Sequence, residues 1–141
     1  MTQWALVYPV VVQVALTFGL LMWTGAARVG AIRRGEVKVE DIALGQDAWP
    51  PRVRQISNSY HNQFQLPLLF YLACGLALLS GKVSSLLVLL AWGFVAARIV
   101  HAVIHTTSNV VRQRFVAFLV GTSLLVVIWV VVTLAIILDP S

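Results

Sequence analysis

The residues with the most chemical potential in this chain form two short polar series. Arg98, His101, His105, Asn109 and Arg112 are spaced 3, 4, 4 and 3 apart, which at about 100° per residue keeps all five within roughly an 80° arc of one helix. A second series, Asn58, His61, Asn62 and Gln65, precedes Pro67, and Asn58, Asn62 and Gln65 share a helix face through their spacing of 4 and 3. Arginines and histidines without a neighbouring Asp or Glu leave positive charge uncompensated. Such a set calls for an anionic ligand, or for a carboxylate from another part of the structure. The amide side chains can hydrogen-bond a guanidinium but cannot neutralise it. Pro67 removes the backbone bond to the Gln63 carbonyl and predicts a kink beside these residues.

Other chemistries fit less of the pattern. His101 and His105 at i and i+4, with His61, could hold a metal, but no Cys, Asp or Glu is near enough in sequence to complete a usual shell, so no metal site is expected. A haem held by histidines on facing helices is an alternative. The plain structural reading is interhelical glue, with arginines snorkelling from helix ends. There is no Gly-rich phosphate loop and no serine-nucleophile motif. Cys74 is the single cysteine; it excludes an intrachain disulfide and a CxxC pair, and reads as a small apolar residue inside a helix.

The elements that must position these residues are membrane helices. The 141-residue chain is 60% hydrophobic and 11% charged, too apolar for a soluble domain of its size. Crossing a bilayer takes about 20 apolar residues in helical form, because every backbone polar group must be satisfied internally. Four stretches qualify: about 4–27, 58–79 (ended by Ser80-Gly81-Lys82), 84–107 and 115–138, the last closed by Asp139-Pro140. The expected fold is all-α, a four-helix transmembrane bundle in one membrane domain, with no internal repeat and no linker. Residues 1–27 carry no charge and no basic n-region, so they read as the first membrane helix rather than as a signal peptide. Residues 28–57 hold every acidic residue except Asp139, together with Gly35, Gly45, Pro50 and Pro51, and read as a solvated loop with a short helical piece.

The net charge of +5 comes from basic residues between and at the ends of apolar runs, a pattern that reports membrane orientation rather than nucleic-acid binding. Arg28, Arg33, Arg34, Lys38, Arg52 and Arg54 lie in the first link, Arg112 and Arg114 in the third, and Lys82 alone in the second. The positive-inside rule therefore puts the first and third links in the cytoplasm and both termini on the far side. Arg98 then lies about 21 Å along the third helix, in the inner third of a core about 30 Å thick. An ionised group at that depth must face a cavity or another helix.

The segment Asn62-Gln63-Phe64-Gln65-Leu66-Pro67-Leu68-Leu69-Phe70-Tyr71 resembles the second-helix signature of the MAPEG proteins, membrane-associated proteins in eicosanoid and glutathione metabolism. Arg98, His101 and His105 resemble their third-helix pattern. The likeness covers nearly the whole chain and implies a bacterial-type member in the inner (plasma) membrane. It implies a homotrimer of four-helix subunits that binds glutathione, or another low-molecular-weight thiol, between neighbours near the cytoplasmic face. The implied activity is that of a transferase or peroxidase acting on a lipophilic small molecule delivered by membrane lipid; a non-catalytic scaffold or accessory subunit is the alternative. By position, Arg28, Asn62, Gln65, Arg98, His101 and His105 correspond to cofactor-binding residues. The thiolate-stabilising arginine falls at Arg114, or at Arg112 if the short link is gapped differently. Gln65 stands at the family's usual glutamate, His105 where eicosanoid enzymes usually have tyrosine, and Asn58 and His61 where they often carry arginines.

The charge asymmetry predicts that a cysteine introduced at position 82 reacts with impermeant maleimide only from the non-cytoplasmic side. Labelling from the cytoplasmic side alone would invert the topology.

Overall fold

The computed structural model describes residues 3–139; Met1, Thr2, Pro140 and Ser141, and with them part of the expected Asp139-Pro140 closure, lie outside. Five α-helices follow in order: α1 Val7–Arg33, α2 Pro51–Asn62, α3 Leu66–Leu79, α4 Ser85–Thr106 and α5 Val111–Leu138. Short 3-10 turns occupy Gln3–Leu6 and Val39–Ile42. With α2 and α3 taken together, four segments are long and apolar enough to span a membrane: Gln3–Arg33, Pro51–Leu79, Ser85–Thr106 and Val111–Leu138.

Helix ends follow backbone chemistry more closely than charge. α1 runs past Ala27, where the charge-free run stops, to Arg33. Charged side chains end an apolar stretch without ending a helix, since they can extend into water. The stop signal is Gly35, at φ +70°. The Glu36 N–H donates to the Ala31 carbonyl and the Gly35 N–H to Ile32, each at 3.0 Å, the paired bonds of a Schellman cap. Gly81, at φ +68°, closes α3 in the same way through Lys82 to Ala77. An exposed Arg34–Glu36 ion pair spans the first cap at 2.7 Å; its hydrogen bond holds the Glu36 carboxyl below its usual pKa and the guanidinium above its own.

The expected loop over 28–57 shrinks from both sides, because α2 starts at Pro51, whose missing N–H costs nothing at the first helical position. The fourth helix likewise starts at Val111 rather than Phe115. α4 is capped by Ser84, whose hydroxyl accepts from the Leu87 N–H.

The second span is broken rather than merely kinked. α2 stops at Asn62, and Gln63 to Gln65 form a turn in which Gln65 takes φ −94° and ψ −104°. α3 then begins with Pro67 in its first turn. Here the proline starts a new helix instead of bending an old one. Gln13 of α1, fully buried, donates to Gln63 Oε1 at 2.9 Å, and Gln63 Nε2 donates to the Ser59 carbonyl at 3.1 Å. These bonds tie the break to α1, while Gln13 Oε1 stays buried without a partner.

The apolar core lies toward the opposite end from the arginines. Phe70 stacks on Phe94 with centroids 4.6 Å apart, among Ala73, Ala77, Ala91 and Ile128. The alanines let the backbones approach closely, as helix packing in lipid requires. α5 packs chiefly on α4, the most enclosed helix. A second small core of Ala31, Trp49 and Val53 folds the first link back onto the end of α1.

The Gly35 conformation gives a test free of steric confusion, since a Cβ there meets nothing within 4 Å. Gly35→Ala is expected to cost about 1–2 kcal/mol in detergent unfolding, with Gly35→Asn costing less. Equal stability of all three would mean that the cap does not limit the fold.

Candidate functional site

Arg98 sits on the inner face of α4 and is 1% exposed. Its Nη2 donates to Asn62 Oδ1 and, at 3.4 Å, to the Asn62 backbone carbonyl. Asn62 is the last residue of α2; its carbonyl has no donor within that helix, accepts a 3.3 Å turn bond from the Gln65 N–H, and lies at a helix C-terminus, where a cation is favoured. α2 returns the arrangement at the end of α4: Arg52 Nη1 donates to the Thr106 carbonyl, and Gln55 Nε2 donates to those of His105 and Thr107 at 2.9 and 3.1 Å. The two helices therefore run antiparallel and cap one another.

His101 and His105 lie on the same side of α4, 3% and 7% exposed, with rings edge to face at 5.5 Å. α4 ends at Thr106, so the expected single stripe from Arg98 to Arg112 stops at His105. Asn109 enters the left-handed region at φ +51°, a conformation asparagine tolerates better than most residues. Its N–H reaches the Ile104 carbonyl at 2.8 Å, and its Oδ1 accepts from Arg114 Nη1 at 2.5 Å. This turn swings α5 so that Arg114, Phe115 and Phe118 face His101 and Asn62 across a cleft of about 220 Å³. Gly121 packs against the Arg98 stem, with its Cβ position 3.9 Å from Cδ.

The structure thus brings Asn62, Gln65, Arg98, His101, His105 and Arg114 to one end of the bundle, Gln65 joining through its Oε1, which accepts from Asn62 Nδ2 at 3.2 Å. Arg112 is not with them. It is exposed on another face of α5, at a separate apolar groove of about 630 Å³ between α4 and α5.

Arg28 is also elsewhere within the chain. Its Nη2 donates to Ser57 Oγ at 2.9 Å and to Gln46 Oε1 at 3.2 Å, and its guanidinium lies 5.1 Å from the Trp49 ring centroid. Of the earlier polar series, Asn58 is exposed, and His61 faces Gln46 at 3.5 Å rather than His101. Among the described residues no group of three His, Cys, Asp or Glu could hold a metal ion.

The reading of residue types alone missed the capping roles of Arg52 and Gln55 and the wall formed by Phe115 and Phe118. The available signals were Arg52 and Gln55 at i and i+3, and Arg114, Phe115 and Phe118 at helical spacing on one side of α5.

Four apolar spans and a buried cationic cluster at one end describe an integral membrane protein, and the MAPEG family model matches residues 6–134. The chain belongs to the MAPEG family. Comparison with curated proteins and with solved structures gave no match. In this MAPEG member the cluster depends on Asn62, which supplies both acceptors of Arg98.

Asn62→Ala is therefore expected to lower stability in detergent by about 1.5–3 kcal/mol, the range for a hydrogen bond to a charged group, while Asn62→Asp retains it. Loss of less than about 0.5 kcal/mol, within the scatter of surface substitutions, would show that Arg98 is held by other means.

Proposed function

We propose that this MAPEG protein binds glutathione, or a related low-molecular-weight thiol, at the cleft between Asn62, His101 and Arg114, with Arg98 behind Asn62, and acts as a transferase or peroxidase on a lipophilic electrophile delivered through the bilayer. The observation that carries this reading is the state of Arg98: its Nε and Nη1 are buried without a hydrogen-bond partner. A guanidinium with unpaired N–H groups, bonded to Asn62 on the cleft wall, suits a carboxylate or a thiolate.

The residues divide the work by burial. Arg98 is fixed in α4 against Asn62 and orients an anionic ligand. Arg114 is half-buried at the cleft and uses one nitrogen on Asn109, leaving further N–H groups of its fork for a ligand. A cation beside a sulfur favours its ionised form and raises the nucleophilic fraction at neutral pH. Val111, Phe115 and Phe118 line the same cleft and would exclude water while accepting an apolar substrate. Glutathione, when bound, supplies the thiol nucleophile or reductant.

We further propose a homotrimer. The cleft in one chain is smaller than the roughly 300–1,000 Å³ typical of small-molecule sites, so a neighbouring subunit is assigned the opposite wall, with its Arg28 cluster as the candidate contribution. The basic end would face the cytoplasm, in keeping with the positive-inside rule. A second reading, a non-catalytic scaffold, is favoured by one observation: Gln65 accepts from Asn62 where a glutamate would supply charge.

Titrating purified protein with glutathione at neutral pH should produce a thiolate ultraviolet absorbance. Arg114→Ala should raise the pKa of the bound thiol by about one unit, read from the pH titration of the absorbance, while Arg112→Ala leaves it unchanged. A rise in Arg112→Ala alone would reassign the role. A wild-type protein that binds no thiol at millimolar concentration would leave the scaffold reading.

A further inference from the structure

The groups that line the cleft, and those bonded directly to its lining residues, differ in what they still have to offer a ligand. The amide oxygens are engaged: Asn62 Oδ1 accepts from Arg98, Gln65 Oε1 from Asn62, and Asn109 Oδ1 from Arg114. Each keeps at most one lone pair and carries no charge. The donors are in surplus. Arg98 Nε and Nη1 are buried and unpaired on a side chain 1% exposed, and Arg114 has N–H groups beyond the one on Asn109.

The Nδ1 atoms of His101 and His105 are also unpaired, but an imidazole is neutral at best, and these stand among guanidinium groups whose field repels another cation. The chain's acids are Glu36, Glu40, Asp41 and Asp47 in the first link and Asp139 at the far end of α5. No carboxylate of α2, α3 or α4 is available to hold an ammonium, because these helices contain none.

We infer that the cleft recognises its ligand through anionic acceptors alone, so that the ligand class is an anionic thiol in which a free amine is dispensable. The inference rests on the thiol-binding reading above and specifies which part of the ligand that site reads. A free ammonium next to a carboxylate brings a cation into the field of Arg98 and Arg114. Acetylation removes that cation and adds a carbonyl that can accept from an Arg114 N–H at the cleft.

Calorimetry on purified protein in detergent tests this with four probes: glutathione, N-acetylglutathione, and the S-methyl derivative of each. The N-acetyl compound should bind at least as tightly as its free-amine counterpart in both pairs. Gln65→Glu, which places a carboxylate beside Asn62, should turn the preference toward the free amine by about tenfold, the worth of one charge-assisted hydrogen bond. About tenfold weaker binding of the N-acetyl compounds by wild type overturns the inference, as does an unchanged order in Gln65→Glu. In either case a thiolate absorbance with glutathione leaves the thiol reading intact. Equal binding of the S-methyl pair without any thiolate signal supports amine-independent recognition and removes the thiol chemistry. Failure of all four probes to bind overturns both.

Discussion

A guanidinium buried inside a membrane bundle is the constraint on which this structure turns. Placing an ionised arginine at the middle of a helix in hydrocarbon costs about 2.5–3.5 kcal/mol even on the mildest scales, and Arg98 is almost wholly enclosed. It is tolerated because the second span is interrupted beside it. α2 ends at Asn62 and presents both a carbonyl and a side-chain oxygen. Without the break those acceptors would be spent inside a continuous helix or turned away from α4. Pro67, Gln13 and Gln63 maintain the interruption, and Arg52 and Gln55 fix the other end of the α2–α4 pair.

The same constraint divides the bundle into two halves of different character. Toward the far end, alanines and stacked aromatic rings give a tight apolar core of the kind van der Waals packing in lipid demands. Toward the basic end, packing gives way to hydrogen-bonded cations. Arg28 covers Trp49 and draws the first link onto α1 through Nη2, whereas Arg98 and Arg114 keep N–H groups in reserve at or behind the cleft lining. An arginine whose bonds all go to the fold around it acts as a structural bracket, as Arg28 does through Nη2 although its Nε is unpaired. One held rigid with donors to spare suits ligand binding.

The link between α4 and α5 sets how this reserve is presented. Asn109, in a left-handed turn, both redirects the chain and holds Arg114. A continuous helix through this point would have kept Arg112 on the histidine face. The turn instead leaves Arg112 on a separate apolar groove and brings Arg114 to His101 with Phe115 and Phe118.

Much of this was determined by the sequence itself. Apolar run length dictates the number of spans, because a bilayer leaves the backbone no alternative to helices. The isolation of Arg98, His101 and His105 from acids marks the cationic cluster, since their 3 and 4 spacing holds within one unbroken helix. Even the helix ends were written locally in Gly35, Gly81, Pro51 and Ser84, although charge misled the reading at Arg28, where solvation and helix continuation are compatible. Tertiary structure alone decided where periodicity fails. Whether Asn109 and Arg112 extend the stripe depends on a turn whose handedness no spacing rule contains. Which arginine reaches the histidines depends on how α5 docks against α4. That Arg28 meets the first link of its own chain rather than that chain's Asn62 cluster depends on Trp49 and Gln46 folding back over it, a contact between residues far apart in sequence. Local periodicity specifies a residue's direction only relative to its own helix; its partner is set by the packing of whole helices.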